Sequence, residues 1–402
     1  MTVAGKPRLG AIGGDYAVLV GAFLLSTFLA ATQIMPASVL TLVMDDLGVS
    51  PSLGSTLVSL TLLSPAILAI PVGFALDRVD NRLVLLAGTV LMVASNLWSY
   101  DAAVRGAYPE LMASRLLTGA GIALTWTAGA NIVSATFTGE NAATVTGIYT
   151  ASAPFGFVVG QSIPPFVATY TDWKANFLVF AAASGLAFVV FALTAYRTTG
   201  PVETEESADW ADFRRVLTNR GVWVVALMSF AGYSLNLFYN SWMPTYLSEE
   251  LGYGIAASGV MVALFPAMGV LSRTSGGVIS DRLLDGRRRP VPMLSFFGSL
   301  VLVVALTVAR GAVVLAVLLL LSGYFVQLSI GLFYTFVREL VDDHVAGSAI
   351  AVLSSASFAG GFLAPVIAGW LIEQTGGYLA TFGFAFALSV VGLVLAYRVK
   401  EP

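Results

Sequence analysis

Twelve stretches of the chain run eighteen residues or longer without an Asp, Glu, Lys or Arg. They cover 16–44, 47–76, 83–100, 116–139, 141–171, 175–196, 221–248, 251–272, 290–309, 311–337, 344–372 and 374–397. A helix needs about 20 apolar residues to cross a hydrocarbon core of roughly 30 Å, and an open chain in lipid satisfies its backbone only as helix. The pattern predicts an all-α integral membrane protein with twelve transmembrane helices and no other large element. The first stretch is too long for a signal-peptide core and lacks a small-residue cleavage site, so it is expected to remain as a mature span.

The longest hydrophilic connection, 197–220, divides the spans into two blocks of six. The expected organisation is an N-terminal tail 1–14, a six-helix bundle 15–197, a linker 198–220, a second six-helix bundle 221–398 and a tail 399–402. Within the linker, Asp209–Leu217 reads as a short amphipathic surface helix and 198–207 as a flexible tether. With an even number of spans both termini share a side. That side collects fifteen of the 20 Lys and Arg residues, the other only Arg105, Lys174 and Arg310, and Arg115 and Arg273 fall inside spans. The bias predicts a multi-pass protein of the cell (inner) membrane with both termini cytoplasmic.

Composition narrows the chemistry. Of 402 residues 57% are hydrophobic and 11% charged, against roughly 25% charged in soluble domains. This excludes a soluble enzyme, and a formal net charge of −3 with no basic stretch excludes a nucleic-acid partner. Without Cys, and with His344 alone of its kind, the chain offers no disulfide, thiolate metal site, cysteine nucleophile or histidine cluster. No cofactor or metal is expected, and no glycine loop with Lys points to ATP. The expected surroundings are the lipid bilayer and a small-molecule substrate, and the chain is expected to act as a monomer.

An internal repeat is legible. Gly73-Phe-Ala-Leu-Asp77-Arg78 follows span two and Gly277-Val-Ile-Ser-Asp281-Arg282 ends span eight, offset by 204 residues; the same offset pairs Gly156 with Gly360. The two halves are therefore expected to be parallel repeats. Gly73-x-x-x-Asp77-Arg78-x-Asp80-x-Arg82 resembles the signature loop of the major facilitator superfamily, and Arg115-x-x-x-Gly119-x-Gly121 its helix-four motif. Gly147, Gly156 and Gly160 match the start of the antiporter glycine motif, which is then left at Gln161 and Pro164-Pro165. Trp242-Met-Pro244-Thr-Tyr246-Leu is common among the anion-handling branches.

This resemblance implies two six-helix bundles around a central cavity lined by spans 1, 4, 7 and 10, with spans 2, 5, 8 and 11 at the interface and 3, 6, 9 and 12 facing lipid. It also implies alternating access by rocking of the bundles. Asp77, Arg78, Arg82, Asp281, Arg282 and Arg115 are the expected gating residues. Asp77 can meet the N-terminus of a helix from the other half, with Glu140 a candidate partner for Arg78 and Arg82. For Arg115 the resemblance points to helix packing and, in some members, to proton coupling.

Arg273 is the leading site residue. An intramembrane charge is costly and faces a cavity or a partner, and eight residues before Asp281 place it roughly 12 Å inside the membrane. Its guanidinium suits a planar oxyanion. Arg273-Thr-Ser-Gly276-Gly277-Val-Ile-Ser280-Asp281-Arg282 is similar to the helix-eight segment of the nitrate/nitrite porters, and Ser357-Phe-Ala-Gly360-Gly361-Phe-Leu-Ala-Pro365 resembles their second glycine signature. Those porters carry a matching Arg in helix two, but the repeat offset carries Arg273 onto Ala69. That departure leaves cyanate permeases and carboxylate exchangers open beside nitrate, although span eleven lacks the Lys of oxalate-type exchangers. One fixed positive charge fits a substrate with one negative charge, or an anionic group on a larger body.

Polar and aromatic residues near span midpoints are candidate lining: Gln33, Trp126, Tyr149, Asn236, Tyr239, Asn240, Tyr324 and Gln327. Each can equally join helices. Every Asp and Glu lies near a span end, Glu110 and Glu373 being the least clearly excluded from the interior. The pattern favours exchange of one small anion for another, or facilitated diffusion, over a carboxylate proton relay. The alternative is a drug or metabolite efflux antiporter of the same superfamily.

Overall fold

The computed structural model describes residues 9–76, 79–137, 142–195 and 210–401, which form helices joined by short turns. Span one is α1 (Leu9–Ile34), a 3-10 turn (Met35–Val39) and α2 (Leu40–Leu47). Spans two to six are α3 (Pro51–Leu76), α4 (Asn81–Val104), α5 (Tyr108–Thr136), α6 (Ala142–Tyr170) and α7 (Ala175–Ala195). The expected linker helix is α8 (Trp210–Thr218). Spans seven and eight are α9 (Arg220–Thr245) and α10 (Ile255–Val278), each continued by a π-helical turn, Tyr246–Glu250 and Ile279–Leu283. Span nine is α11 (Pro290–Val308), span ten α12 (Ala312–Gln327) with α13 (Ile330–Glu339), and α14 (Ala346–Thr375) and α15 (Leu379–Arg398) complete the chain. Among the described residues, eleven spans are long and apolar enough to cross a membrane. The twelfth, α6, has 29 residues without a charge but three internal prolines.

Local chemistry sets the boundaries. Asn219 caps α9 by accepting from the Gly221 and Val222 amides at 2.8 and 3.4 Å, and Asp80 caps α4 through the Arg82 amide at 2.9 Å. Gly48 and Gly376, at φ 61° and 67°, end α2 and α14 in the left-handed region that glycine tolerates. Pro36 breaks span one, because proline has no N–H to offer the carbonyl of Thr32 four residues back. Span ten breaks at Leu328–Ser329, where the Leu328 amide turns to the Phe325 carbonyl at 3.3 Å, and the carbonyls of Tyr324 and Phe325 also accept from the hydroxyls of Ser272 and Ser295.

Packing follows the repeat. Within the first six spans α1 lies on α6 and α7, and α4 on α5; within the last six α9 lies on α14 and α15, and α10 on α12. The halves meet along two reciprocal seams, α3 with α14 and α6 with α10, which are spans two with eleven and five with eight. Spans three, six, nine and twelve turn large apolar side chains outward, among them Val90, Leu193, Phe297, Val308 and Val391. That outer surface suits lipid and would be untenable in water.

The described contacts between halves lie toward the face opposite the chain termini. There Ser52 Oγ donates to Glu373 at 2.6 Å, and Gln161 Nε2 to the Asn240 carbonyl at 2.6 Å. A Cβ on Gly369 would lie 2.6 Å from the Pro51 carbonyl oxygen, and one on Gly259 2.5 Å from that of Gln161. Close approach here requires glycine. On the terminal face, α8 docks on the last six spans through Val216, which is buried with Val222 and Val345.

Candidate functional site

Span eight carries a stripe of small residues that lets it lie directly on the break of span ten. A Cβ on Gly276 would stand 2.1 Å from the Leu328 carbonyl oxygen, and one on Gly269 the same distance from Gln327 Oε1. Ser275 Oγ donates to the Tyr324 hydroxyl at 3.2 Å. Across the contact, a Cβ on Gly331 would lie 2.9 Å from the Arg273 carbonyl oxygen. Two helices without bulky side chains between them therefore hold the Arg273 backbone in a fixed register against α13.

The Arg273 guanidinium finds no carboxylate among the described residues. Its Nε is buried without a hydrogen-bond partner, and the groups within electrostatic reach are the phenols of Tyr233 on α9 and Tyr334 on α13. The Tyr233 ring packs edge-on against Phe358 of α14, with centroids 5.9 Å apart. It also borders Gly361, where a Cβ would meet both Tyr233 and Leu62 of α3. Tyr233 thus sits in the middle of the molecule, where the two halves meet. A guanidinium whose Nε is buried without an acceptor is an arrangement for an oxyanion.

The other sequence-selected residues separate into groups. Tyr324 and Gln327 belong to the contact of α10 with α12: Gln327 Nε2 donates to the Phe265 carbonyl at 3.3 Å. Tyr149 lies inside the first six spans, donating to the Trp126 carbonyl at 3.0 Å and accepting from Ser26 at 2.9 Å, with its ring 5.3 Å from that of Trp126. Tyr239 is fully buried and stacks on Phe265 at 4.7 Å. Asn236 and Asn240 are buried on one face of α9, with Asn240 Nδ2 donating to the Asn236 carbonyl at 2.8 Å. Gln33 is 6% exposed, and its side-chain nitrogen has no partner.

Among the gating candidates, Asp77 and Arg78 lie outside the described residues. Arg82 follows the α4 cap, and Arg282 is exposed. Asp281 accepts from Arg288, whose guanidinium also donates to Glu339 at 2.6 and 2.9 Å. The Glu339 hydrogen bond, working against burial and helped by Asp281, raises the pKa of Arg288 above the ordinary arginine value. Arg115 is completely buried, with Nε donating to the Leu57 carbonyl at 3.0 Å and Nη2 to those of Thr32 and Gln33 at 3.0 and 3.1 Å.

Tyr233 and Tyr334 were not singled out in the sequence. Tyr233 had a usable signal, lying three residues before Asn236 on the same helical face. Tyr334 sits four residues before Arg338, near a span end where aromatics ordinarily mark the membrane interface. A separate polar cleft, lined by Arg215, Asn219, Glu339, Asp342 and His344, lies where α8 docks and involves none of the Arg273 neighbours.

The family profile of the Major Facilitator Superfamily matches residues 19–363 and 277–402. The chain is 24% identical to the hexuronate transporter of Bacillus subtilis (strain 168), with 90% of this chain and 88% of that protein aligned. It is 24% identical to the nitrite extrusion protein of the same organism, over 90% and 87%, and 21% identical to its probable galactarate/D-glucarate transporter, over 82% and 79%. Helical spans, reciprocal seams and whole-chain similarity agree: the chain belongs to the Major Facilitator Superfamily and is a multi-pass membrane transporter rather than an enzyme.

Proposed function

We propose that this protein carries a small anion, an inorganic oxyanion or a small carboxylate, across the cell (inner) membrane by alternating access and most simply by exchange. The observation that carries the reading is Arg273, a half-buried guanidinium whose buried Nε has no hydrogen-bond partner, with no carboxylate partner among the described residues and two tyrosine hydroxyls within electrostatic reach. An unpaired charge in a membrane interior favours a mobile counter-ion. The cargoes named for the relatives above, hexuronate, galactarate or D-glucarate and nitrite, are all anions, and this supports the same class.

Exchange is supported by the positions of the two ambiguous carboxylates. Glu110 accepts from Arg105 and Trp98, and Glu373 from Ser52, all near the face opposite the termini. Neither faces Arg273. Binding of an anion neutralises Arg273 and lowers the cost of moving it between the two open states; the empty carrier would move an unpaired charge. In this reading 15–197 and 221–398 are the moving bundles, 198–220 tethers them, and both termini are cytoplasmic. The protein acts as a monomer. Asp77, Arg78, Arg82, Asp281 and Arg282 then gate the terminal face, with Arg115 holding the first bundle together.

The test is thermal stabilisation of the purified protein by nitrate, nitrite, cyanate, formate, oxalate, lactate, D-glucuronate and D-glucarate, beside an Arg273→Ala variant and a set of lipophilic cations. A saturable shift with an anion, lost in the variant, is expected. Shifts with cations alone, or anion shifts that survive in Arg273→Ala, would overturn the reading in favour of an efflux pump.

A further inference from the structure

On the terminal face the ends of spans nine and twelve are tied together by one carboxylate. Glu401, just beyond α15, accepts from the backbone amides of Arg288 and Arg289 at 2.9 and 3.0 Å, immediately before α11 begins. The Arg289 guanidinium lies over the Tyr397 ring, 5.0 Å from its centroid. Arg287, Arg398 and Lys400, all exposed, flank these two residues along the chain. The carboxylates nearby are engaged: Asp281 and Glu339 accept from Arg288, and both oxygens of Glu401 take amides. Among the described residues Arg287, Arg289, Arg398 and Lys400 form no ion pair, and neither does Asp285, exposed in the same loop.

The same two helices carry an apolar outer surface up to this corner. They pack closely, with Gly392 of α15 against the Phe296 ring of α11. Phe297, Val301 and Val304 of α11 and Val391 and Val394 of α15 stay exposed. Tyr397 follows them, 64% exposed, where an aromatic ring marks the edge of the hydrocarbon. Anchoring by positive charge alone asks only for cations on one side and leaves their long side chains free. Here one cation is positioned twice, its backbone by Glu401 and its guanidinium by Tyr397. A soluble anion would answer the cations but leave the apolar surface unused.

We propose that this corner binds an anionic phospholipid, with the phosphate on Arg289, Arg398 and Lys400 and the acyl chains along α11 and α15. Clustered Lys and Arg at the end of a membrane helix attract anionic headgroups, each cation adding to the affinity. The bound lipid joins the loop before α11 to the end of α15 from outside, as Glu401 does from within. The site shares no residue with the Arg273 neighbourhood and stands whatever the cargo.

The test measures lipid binding to the purified full chain in neutral detergent, by native mass spectrometry and thermal shift. Phosphatidylglycerol is compared with phosphatidylcholine of the same acyl chains, and with inorganic phosphate and glycerol 3-phosphate as headgroup-only probes. Arg289→Gln with Arg398→Gln removes two cations from the corner; Arg214→Gln with Arg215→Gln removes as many from α8 on the same face. Phosphatidylglycerol is expected to bind saturably, and the corner variant to weaken it at least about 10-fold while the α8 variant weakens it less than about 3-fold. Arg398→Gln with Lys400→Gln leaves the Arg289–Tyr397 contact in place and should show the same loss, so a folding defect in the first variant does not decide the outcome. Equal binding of the two lipids, or equal losses in the corner and α8 variants, would overturn the proposal in favour of diffuse surface charge. Stabilisation by the headgroup-only probes as large as that by phosphatidylglycerol would overturn it in favour of a free-phosphate site.

Discussion

Arg115 donates through Nη2 to the carbonyl of Thr32 at 3.0 Å, the carbonyl that Pro36, four residues on, cannot serve. The arginine supplies from span four what proline withholds in span one, and its second bond to Gln33 holds the following carbonyl as well. A charge that is expensive in a membrane is thereby used as a three-point clamp on the backbone of spans one and two.

Arg115→Ala is accordingly expected to destabilise the protein by about 3 kcal/mol or more, because three buried carbonyls lose a charged donor. Arg115→Lys keeps the charge but lacks the planar fork and is expected to recover only part of the loss. Thermal unfolding in detergent checks this. Equal melting temperatures for wild type and Arg115→Ala would remove the clamp from the account.

Tyr233→Phe and Tyr334→Phe keep their rings and delete one hydroxyl each. Each is expected to weaken anion binding about 3- to 10-fold, on the order of 1 kcal/mol, with little change in melting temperature. Titration of the thermal shift with the anion that stabilises the wild type measures it. Unchanged affinity in both variants would mean that the phenols do not take part.

The neighbouring glycines Gly276 and Gly277 are expected to differ sharply. A Cβ at 276 would collide with the Leu328 carbonyl, whereas one at 277 meets nothing within 4 Å. Gly276→Ala should cost roughly 1–3 kcal/mol by forcing span ten away, and Gly277→Ala should be neutral or slightly stabilising. Similar losses for both would show that glycine serves helix flexibility here rather than close approach.

Arg288 bridges Asp281 and Glu339 at a partly exposed site, with the two carboxylates 59% and 34% exposed. After allowance for solvent screening, a double-mutant cycle between Arg288→Gln and Glu339→Gln should give a coupling of about 1 kcal/mol or less. Raising salt should reduce it further. A coupling well above that, unaffected by salt, would mark this cluster as a principal support of the fold.

The helical spans were readable because lipid imposes a length and forbids charges, and the linker helix was found one residue from its expected place. The break of span ten was not readable. Leu328 and Ser329 continue an apolar run, and the interruption is held by hydroxyls donated from spans eight and nine. Arg273 stood out because charge is rare in such a sequence. Tyr233 did not, because a tyrosine in a membrane helix is ordinary, and only the packing of Phe358 and Gly361 around its ring sets it apart. Likewise Arg115 was visible as a charge, but its task depends on carbonyls 82 and 83 residues away.

The docking of α8 also decides which half owns it. Because Val216 is buried with Val222 and Val345, Trp210–Thr218 packs as a part of the last six spans rather than standing apart between the halves. A chain cut on the N-terminal side of Trp210 should therefore leave α8 with the second polypeptide.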